Sequence, residues 1–241
     1  MIKSIKKAIV WGDSVLRGVA YDEERGRYAV LRTTAVSKVS EELGIEVINR
    51  AKMGMTIEKG LELIEADLNR GIVADAALIE FGGNDCDFNW AAISENPNAQ
   101  HLPKTPIDIF EKKLKHIVTK LRGSGIYTAL ATLPPIVADK YFDFIARHGL
   151  NKDNILQWLG DKHHIYRFHE MYSNVIQRVA RECGCALLDL RSAFLSRWDS
   201  NALFCKDGIH PNQEGQIVMG EFVLQEALPK ANIQLVTSKL A

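Results

Sequence analysis

Short, dense apolar runs alternate along the chain with longer stretches in which apolar residues return every three or four positions. The runs at 6–11, 45–49, 76–81, 126–132 and 186–190 are rich in Ile, Val, Leu and Ala with little polar alternation. That is the pattern of parallel strands covered on both faces. Stretches at 28–43, 57–69, 106–122, 165–182 and 213–227 carry helical periodicity. Gly44 and Gly123 stand where helices end, and Asn212 is placed to cap the last helix with Pro211 just outside. Strand–helix units in succession, with no repeat and no low-complexity linker, predict an α/β fold: a three-layer α/β/α sandwich around a parallel sheet.

At 241 residues the chain is long enough for one full domain, 1–241, and does not require a second. Lysine plus arginine equals aspartate plus glutamate, 30 of each, so no global field draws nucleic acid or an anionic membrane. The first apolar run passes straight into Gly12-Asp13-Ser14 and leaves no room for a secretory leader. No run approaches the roughly 18 apolar residues of a membrane span. The expectation is a cytoplasmic protein in which Cys86, Cys183, Cys185 and Cys205, none in C-x-x-C spacing, are reduced thiols.

Four fragments punctuate the pattern. Gly12-Asp13-Ser14 follows the run Ala8-Ile9-Val10-Trp11. Asn49-Arg50-Ala51-Lys52-Met53-Gly54 and Gly82-Gly83-Asn84-Asp85 each follow a further run, and Asp207-Gly208-Ile209-His210-Pro211 follows the last. They sit beyond the first, second, third and fifth strands. Ligands in open α/β sheets bind outside the carboxyl ends of the strands, so the four converge on one crevice. The set, in this order, resembles the SGNH (GDSL-type) hydrolase family from residue 12 to residue 211. The resemblance implies a five-stranded sheet in flavodoxin-like order and hydrolysis of an ester without metal or organic cofactor. The G-x-S-x-G elbow of an ordinary α/β-hydrolase is absent.

Each fragment carries a chemical role. Ser14 is the nucleophile, opening a short turn to Arg17 that Gly18 closes, with its own N–H free for an oxyanion; a serine here is also an ordinary N-cap. His210 is the general base and Asp207 the carboxylate that fixes its tautomer. Gly208 lets the chain turn between them, and Pro211 keeps His210 out of the helical region. Gly54, lacking a side chain, brings its N–H close to the substrate, and Asn84 aims a neutral amide at the same oxygen. Together with the Ser14 N–H they form the oxyanion hole. The family often carries Gly where this chain has Ala51, a departure that bears on loop shape.

Neighbouring residues receive lesser roles. Asp13 and Asp85 brace their loops through backbone hydrogen bonds, and Asp85, Phe88 and Trp90 are candidate substrate contacts. Cys86 borders the site. Glu80, alone in an apolar strand, needs a partner, for which Arg50 is the candidate. Arg17 is either a contact for an anionic substrate group or a surface cation. His163, His164, His169 and Glu170 match no zinc spacing and read as a solvated helix start. Long connections at 86–104 and 134–164 are where substrate choice resides. Tyr141, Phe142 and Ile145 in the second either line an acyl or sugar site or form a helix face packed on the core.

The function expected is a serine esterase acting on a small-molecule ester through an acyl-Ser14 intermediate. Few apolar side chains in 86–104 could line a long groove, which favours short acyl groups. A carbohydrate acetylesterase, a lysophospholipase or acyl-thioesterase, and a catalytically silent carbohydrate- or lipid-binding protein are the alternatives.

Overall fold

Aliphatic runs pair into a parallel sheet because each offers its backbone to neighbours and its side chains to both faces. In the computed structural model, which describes residues 5–228, the chain begins β1 (Lys7–Gly12), α1 (Ser14–Arg17), β2 (Val19–Asp22), β3 (Arg27–Val30), α2 (Ala35–Leu43) and β4 (Glu46–Asn49). It continues through α3 (Ile57–Asn69), β5 (Ala76–Glu80), α4 (Trp90–Glu95), α5 (Ile107–Gly123), β6 (Tyr127–Ala131) and α6 (Ala138–Ile145). Then follow α7 (Lys152–Leu159), α8 (His164–Cys183), β7 (Ala186–Leu188), α9 (Ser192–Leu195) and α10 (Gln213–Phe222). Five strands form a parallel sheet in the order β4-β1-β5-β6-β7. This is the flavodoxin-like order, and every expected strand falls on one of the five.

The period of two along each strand divides the core. Ile9, Trp11, Ala77, Ile79 and Leu130 belong to one cluster with the apolar faces of α3, α5 and α8. Val10, Ala131 and Leu188 belong to another with Leu16, Ala35, Phe194 and Met219, from α1, α2, α9 and α10. Both sheet faces are covered, which is why the strand sequences show so little alternation. Gln216, buried in α10, ties that layer together: its side chain accepts from Ala35 N at 2.9 Å and donates to Val15 O at 2.9 Å.

Two expectations are corrected, and the two long connections acquire structure. The helix placed at 28–43 begins only at Ala35, because Thr34 and Ser37 form a capping box there. The preceding residues pair as an antiparallel hairpin, with Val19 opposite Val30 and Tyr21 opposite Tyr28, around Gly26 at φ 62°. The connections at 86–104 and 134–164 contain α4, α6 and α7. Phe88, Trp90 and Ile93 pack there with Ala138, Ile155, Leu159 and Ile165 as a third apolar cluster, against which Tyr141, Phe142 and Ile145 also lie. Finally, Gly123 is the last residue of α5, and the left-handed position is Gly125 at φ 76°. Gly44 does end α2 at φ 62°, and Asn212 caps α10 by accepting from Gly215 N at 3.0 Å.

Candidate active site

β1 ends at Gly12, and Asp13 caps the single turn α1 by accepting from Val15 N at 2.8 Å. Gly18, at φ 75°, closes that turn. Ser14 is thereby held at the first helical position beyond the sheet, where a backbone N–H has no intrahelical acceptor. Its Oγ lies 2.8 Å from His210 Nε2, although the two residues are 196 apart in sequence. His210 Nδ1 lies 2.5 Å from Asp207 Oδ2. The other oxygen of Asp207 accepts from the backbone N–H groups of Ile209 and His210, each at 3.1 Å. Burial pushes the Asp207 carboxyl up, but the hydrogen bond and charge of His210 and the two backbone donors hold it below its ordinary value. Such a carboxylate orients an imidazole with one nitrogen facing a serine.

The Asp207–His210 turn is tightly housed. Gly208 has φ 73°, and a Cβ there would stand 2.6 Å from Val137 O and 2.7 Å from Tyr141 N. Its carbonyl accepts from Val137 N at 2.7 Å, joining the turn to the start of α6. Tyr28, on the hairpin, sets its ring edge-on to His210 with centroids 5.1 Å apart. Burial and the neighbouring Asp207 charge raise its phenol far above the usual value, so it stays neutral. The sequence reading missed Tyr28 because it lay inside a segment read as helix; the signal was the alternation of Val19-Ala20-Tyr21 and Tyr28-Ala29-Val30 around Gly26.

The second and third fragments come to the same edge. Asn49 donates to Leu16 O at 2.8 Å and accepts from Ala51 N at 3.0 Å, tying the loop after β4 to α1. Gly54 lies on that loop at φ 70° with nothing within 4 Å of where a Cβ would be. Asn84 Nδ2 donates to Asp13 Oδ2 at 3.1 Å. Ser14, Gly54, Asn84 and His210 line one cavity of about 170 Å³, together with Phe88 and Trp90.

Asp85 is brought elsewhere. It is fully buried, accepts from Ile57 N at 3.0 Å and from Thr105 Oγ1 at 2.7 Å, and does not line the cavity. It braces the start of α3, whose own N-cap Thr56 makes no side-chain bond, and burial raises its carboxyl to about 6. Asp87, next along, does line the cavity: its Oδ1 accepts from Trp90 Nε1 at 2.8 Å and from Tyr141 OH at 2.7 Å. Cys86 also lines it, its thiol donating to Gly83 O at 3.3 Å and pushed well up by burial.

Glu80 is not paired with Arg50. Arg50 reaches Asp67 through two hydrogen bonds, at 2.8 and 2.6 Å, because the Asp67 carboxylate is already placed beside β1 by Trp11 Nε1 at 3.0 Å. Glu80 instead faces Asp13, accepting from its backbone N–H at 3.3 Å. Both carboxyls are buried, and burial together with the Asp13 charge raises Glu80 well above the ordinary range. The two carboxyls thus lie together against the floor of the cavity, each raised by burial and Glu80 further by the Asp13 charge.

The remaining candidates disperse. Arg17 is exposed and lines a shallow groove beside the cavity with Lys52 and Met53. His164 packs against Leu159 O and Arg167, and Glu170 pairs with Arg191. His169, by contrast, is buried in the cavity wall. Among the described residues no cluster of three or more His, Cys, Asp or Glu could hold a metal, and no helix is long and apolar enough to cross a membrane. All four cysteines are free thiols.

Residues 10–217 match the model of the GDSL-like lipase/acylhydrolase family, and the chain belongs to that family. It is a hydrolase acting on ester bonds. A GDSL esterase/lipase of Arabidopsis thaliana is 25% identical over 190 residues, covering 76% of this chain and 67% of the relative. In fold the chain is similar to a lipase/acylhydrolase from Enterococcus faecalis, with TM-score 0.64 and 19% identity over 95% of this chain and 99% of that one. It is likewise similar to an acetylxylan esterase from Geobacillus stearothermophilus, with TM-score 0.64 and 18% identity over 97% of each chain.

Proposed function

We propose that the protein is a serine esterase for esters with short acyl groups, working through an acyl-Ser14 intermediate. The observation that carries this reading is the unbroken hydrogen-bonded chain from Ser14 Oγ through His210 to Asp207, at 2.8 and 2.5 Å. Ser14 Oγ attacks the ester carbonyl carbon while His210 Nε2 takes its proton. The carbonyl oxygen, now negative, is received by the N–H groups of Ser14 and Gly54 and by Asn84 Nδ2, each such donor being worth about 3–4 kcal/mol in the transition state. The tetrahedral species collapses, and the proton on His210 passes to the departing alcohol. Water, deprotonated by the same imidazole, then releases the acid and restores Ser14.

A cavity of about 170 Å³ supports the restriction to short acyl groups, since one of about 150 Å³ accepts a ring the size of benzene. The test is a panel of p-nitrophenyl esters together with a fluorophosphonate probe. One label should appear on Ser14, with turnover on acetate or butyrate. Labelling that maps to Ser124 or Ser192, or persists in Ser14→Ala, overturns the assignment.

A further inference from the structure

Helix α8 turns an apolar face to the core, and that face includes Ile165, Tyr172, Val175, Ile176 and Val179. One heteroaromatic polar residue interrupts it: His169, only 4% exposed. Its Nδ1 is buried without a hydrogen-bond partner, and no described residue bonds its Nε2 either. Buried imidazoles ordinarily spend both nitrogens on partners, because an unpaired polar atom away from water is costly.

The surroundings explain why nothing in the protein satisfies it. The cation whose charge acts on it, Arg191, is committed to Glu170, to Tyr166 OH and to Leu133 O. Burial, with that guanidinium close by, lowers His169 to about 3, so the ring is neutral and offers one donor and one acceptor. Asp87, a polar group of the same cavity lining, already accepts from Trp90, Tyr141 and Lys104. The same cavity lining includes the apolar residues Ile165, Phe168, Leu133 and Pro134. His169 is thus an uncommitted hydrogen-bonding group set among apolar surfaces in the cavity that also holds Ser14 and His210.

We propose that His169 is a specificity-determining residue that hydrogen-bonds a hydroxyl group borne by the substrate, so the substrate is a hydroxylated ester rather than a plain alkyl one. The inference rests on the esterase reading above. The hydroxyl belongs either to the acyl part or to the alcohol part. Its carbon skeleton lies against Phe88 and Phe168, whose rings are 5.0 Å apart, while the hydroxyl meets the imidazole at Nε2, since Nδ1 is enclosed by the protein. A neutral imidazole suits this task across the whole physiological range, since it neither gains charge nor attracts an anion.

The experiment measures kcat/KM on matched pairs. The acyl arm compares p-nitrophenyl 3-hydroxybutyrate with p-nitrophenyl butyrate, and the alcohol arm compares glycerol monoacetate with propyl acetate. The wild type should favour the hydroxylated member in one arm. His169→Leu should lower that preference roughly ten- to hundredfold, and His169→Gln, which keeps a donor and an acceptor, should retain part of it. Thermal melting verifies that both variants fold, and His169→Phe replaces Leu if the smaller side chain destabilises the wall. A wild type without preference in either arm overturns the proposal, as does a preference that survives His169→Leu. Failure of wild-type Ser14 to take the fluorophosphonate label strikes the esterase reading instead, and so separates the two.

Discussion

Asn84 Nδ2 donates to Asp13 Oδ2 at 3.1 Å, so the first and third sequence fragments hold one another. The other oxygen of Asp13 is occupied by Val15 N at 2.8 Å, and Glu80 closes the assembly from behind. One carboxylate thereby fixes both the turn that presents Ser14 and the amide proposed to face the oxyanion. Asp13→Ala removes both constraints without touching the reacting atoms. It should lower kcat by roughly ten- to hundredfold with little change in KM, less than the 10²–10³ expected for Asn84→Ala. Steady-state kinetics on one short ester decides the matter; an Asp13→Ala enzyme with full kcat would remove Asp13 from the positioning role.

The Asp13–Glu80 pair also carries a pH signature. Burial and the Asp13 charge raise Glu80 well above its ordinary 4.5. A group raised in this way contributes fully below its unfolded pKa, and the contribution is lost as pH climbs toward the folded value. Gln has no proton to lose. Glu80→Gln should therefore melt higher than the parent at about pH 8, with the gap narrowing toward about pH 5. Calorimetry across that range is the measurement, and a gap that widens on acidification contradicts a raised Glu80.

In the proposed mechanism Ser14, His210 and Asp207 act as a unit, so their substitutions should not add. Ser14→Ala and His210→Ala should each cost about 10⁵ or more in kcat, and the double variant scarcely more than either. Asp207→Asn should cost about 10⁴, because it presents the wrong tautomer while leaving the geometry in place. Gly208→Ala should approach these losses although it removes no functional group, since a Cβ would stand 2.6 Å from Val137 O at a backbone φ of 73°. Comparing kcat with melting temperature separates a displaced turn from an unfolded protein.

The parts of this molecule most legible in the sequence are those fixed locally. The five aliphatic runs build a sheet covered on both faces and therefore announce themselves; three of the four fragments fall at strand ends, and the fourth stands just before α10. What escaped depends on side chains distant in sequence. Tyr28 meets His210 only because an exposed hairpin folds over the turn at 208, and hairpin residues with modest apolar content resemble a helix start. Glu80 was assigned to Arg50 by charge alone, but Trp11 had already placed Asp67 within reach of that guanidinium. Asp85 reads as a wall residue next to Asn84, yet successive residues point apart, and its carboxylate turns inward to Ile57 and Thr105.

Chain-length preference tests the cavity itself. Each methylene that the cavity buries gains about 0.8 kcal/mol, close to fourfold in kcat/KM. From p-nitrophenyl acetate to butyrate the value should therefore rise. A space of about 170 Å³ then fills, and octanoate and palmitate should fall away. Trp90, 8% exposed, forms part of the wall, its indole N–H fixed to Asp87 at 2.8 Å and its ring packed near Phe88 and Trp158. Trp90→Ala opens that wall, so the optimum should move toward longer chains, while fluorophosphonate labelling of Ser14 changes little. Loss of so large a buried ring should also destabilise the fold by about 3–5 kcal/mol, so assays belong well below the variant's melting temperature. A wild-type profile that climbs steadily to palmitate would mean that α4, α6 and α7 part to admit a long chain. An unchanged profile in Trp90→Ala would place the limiting wall on Ile136 or Phe168 instead.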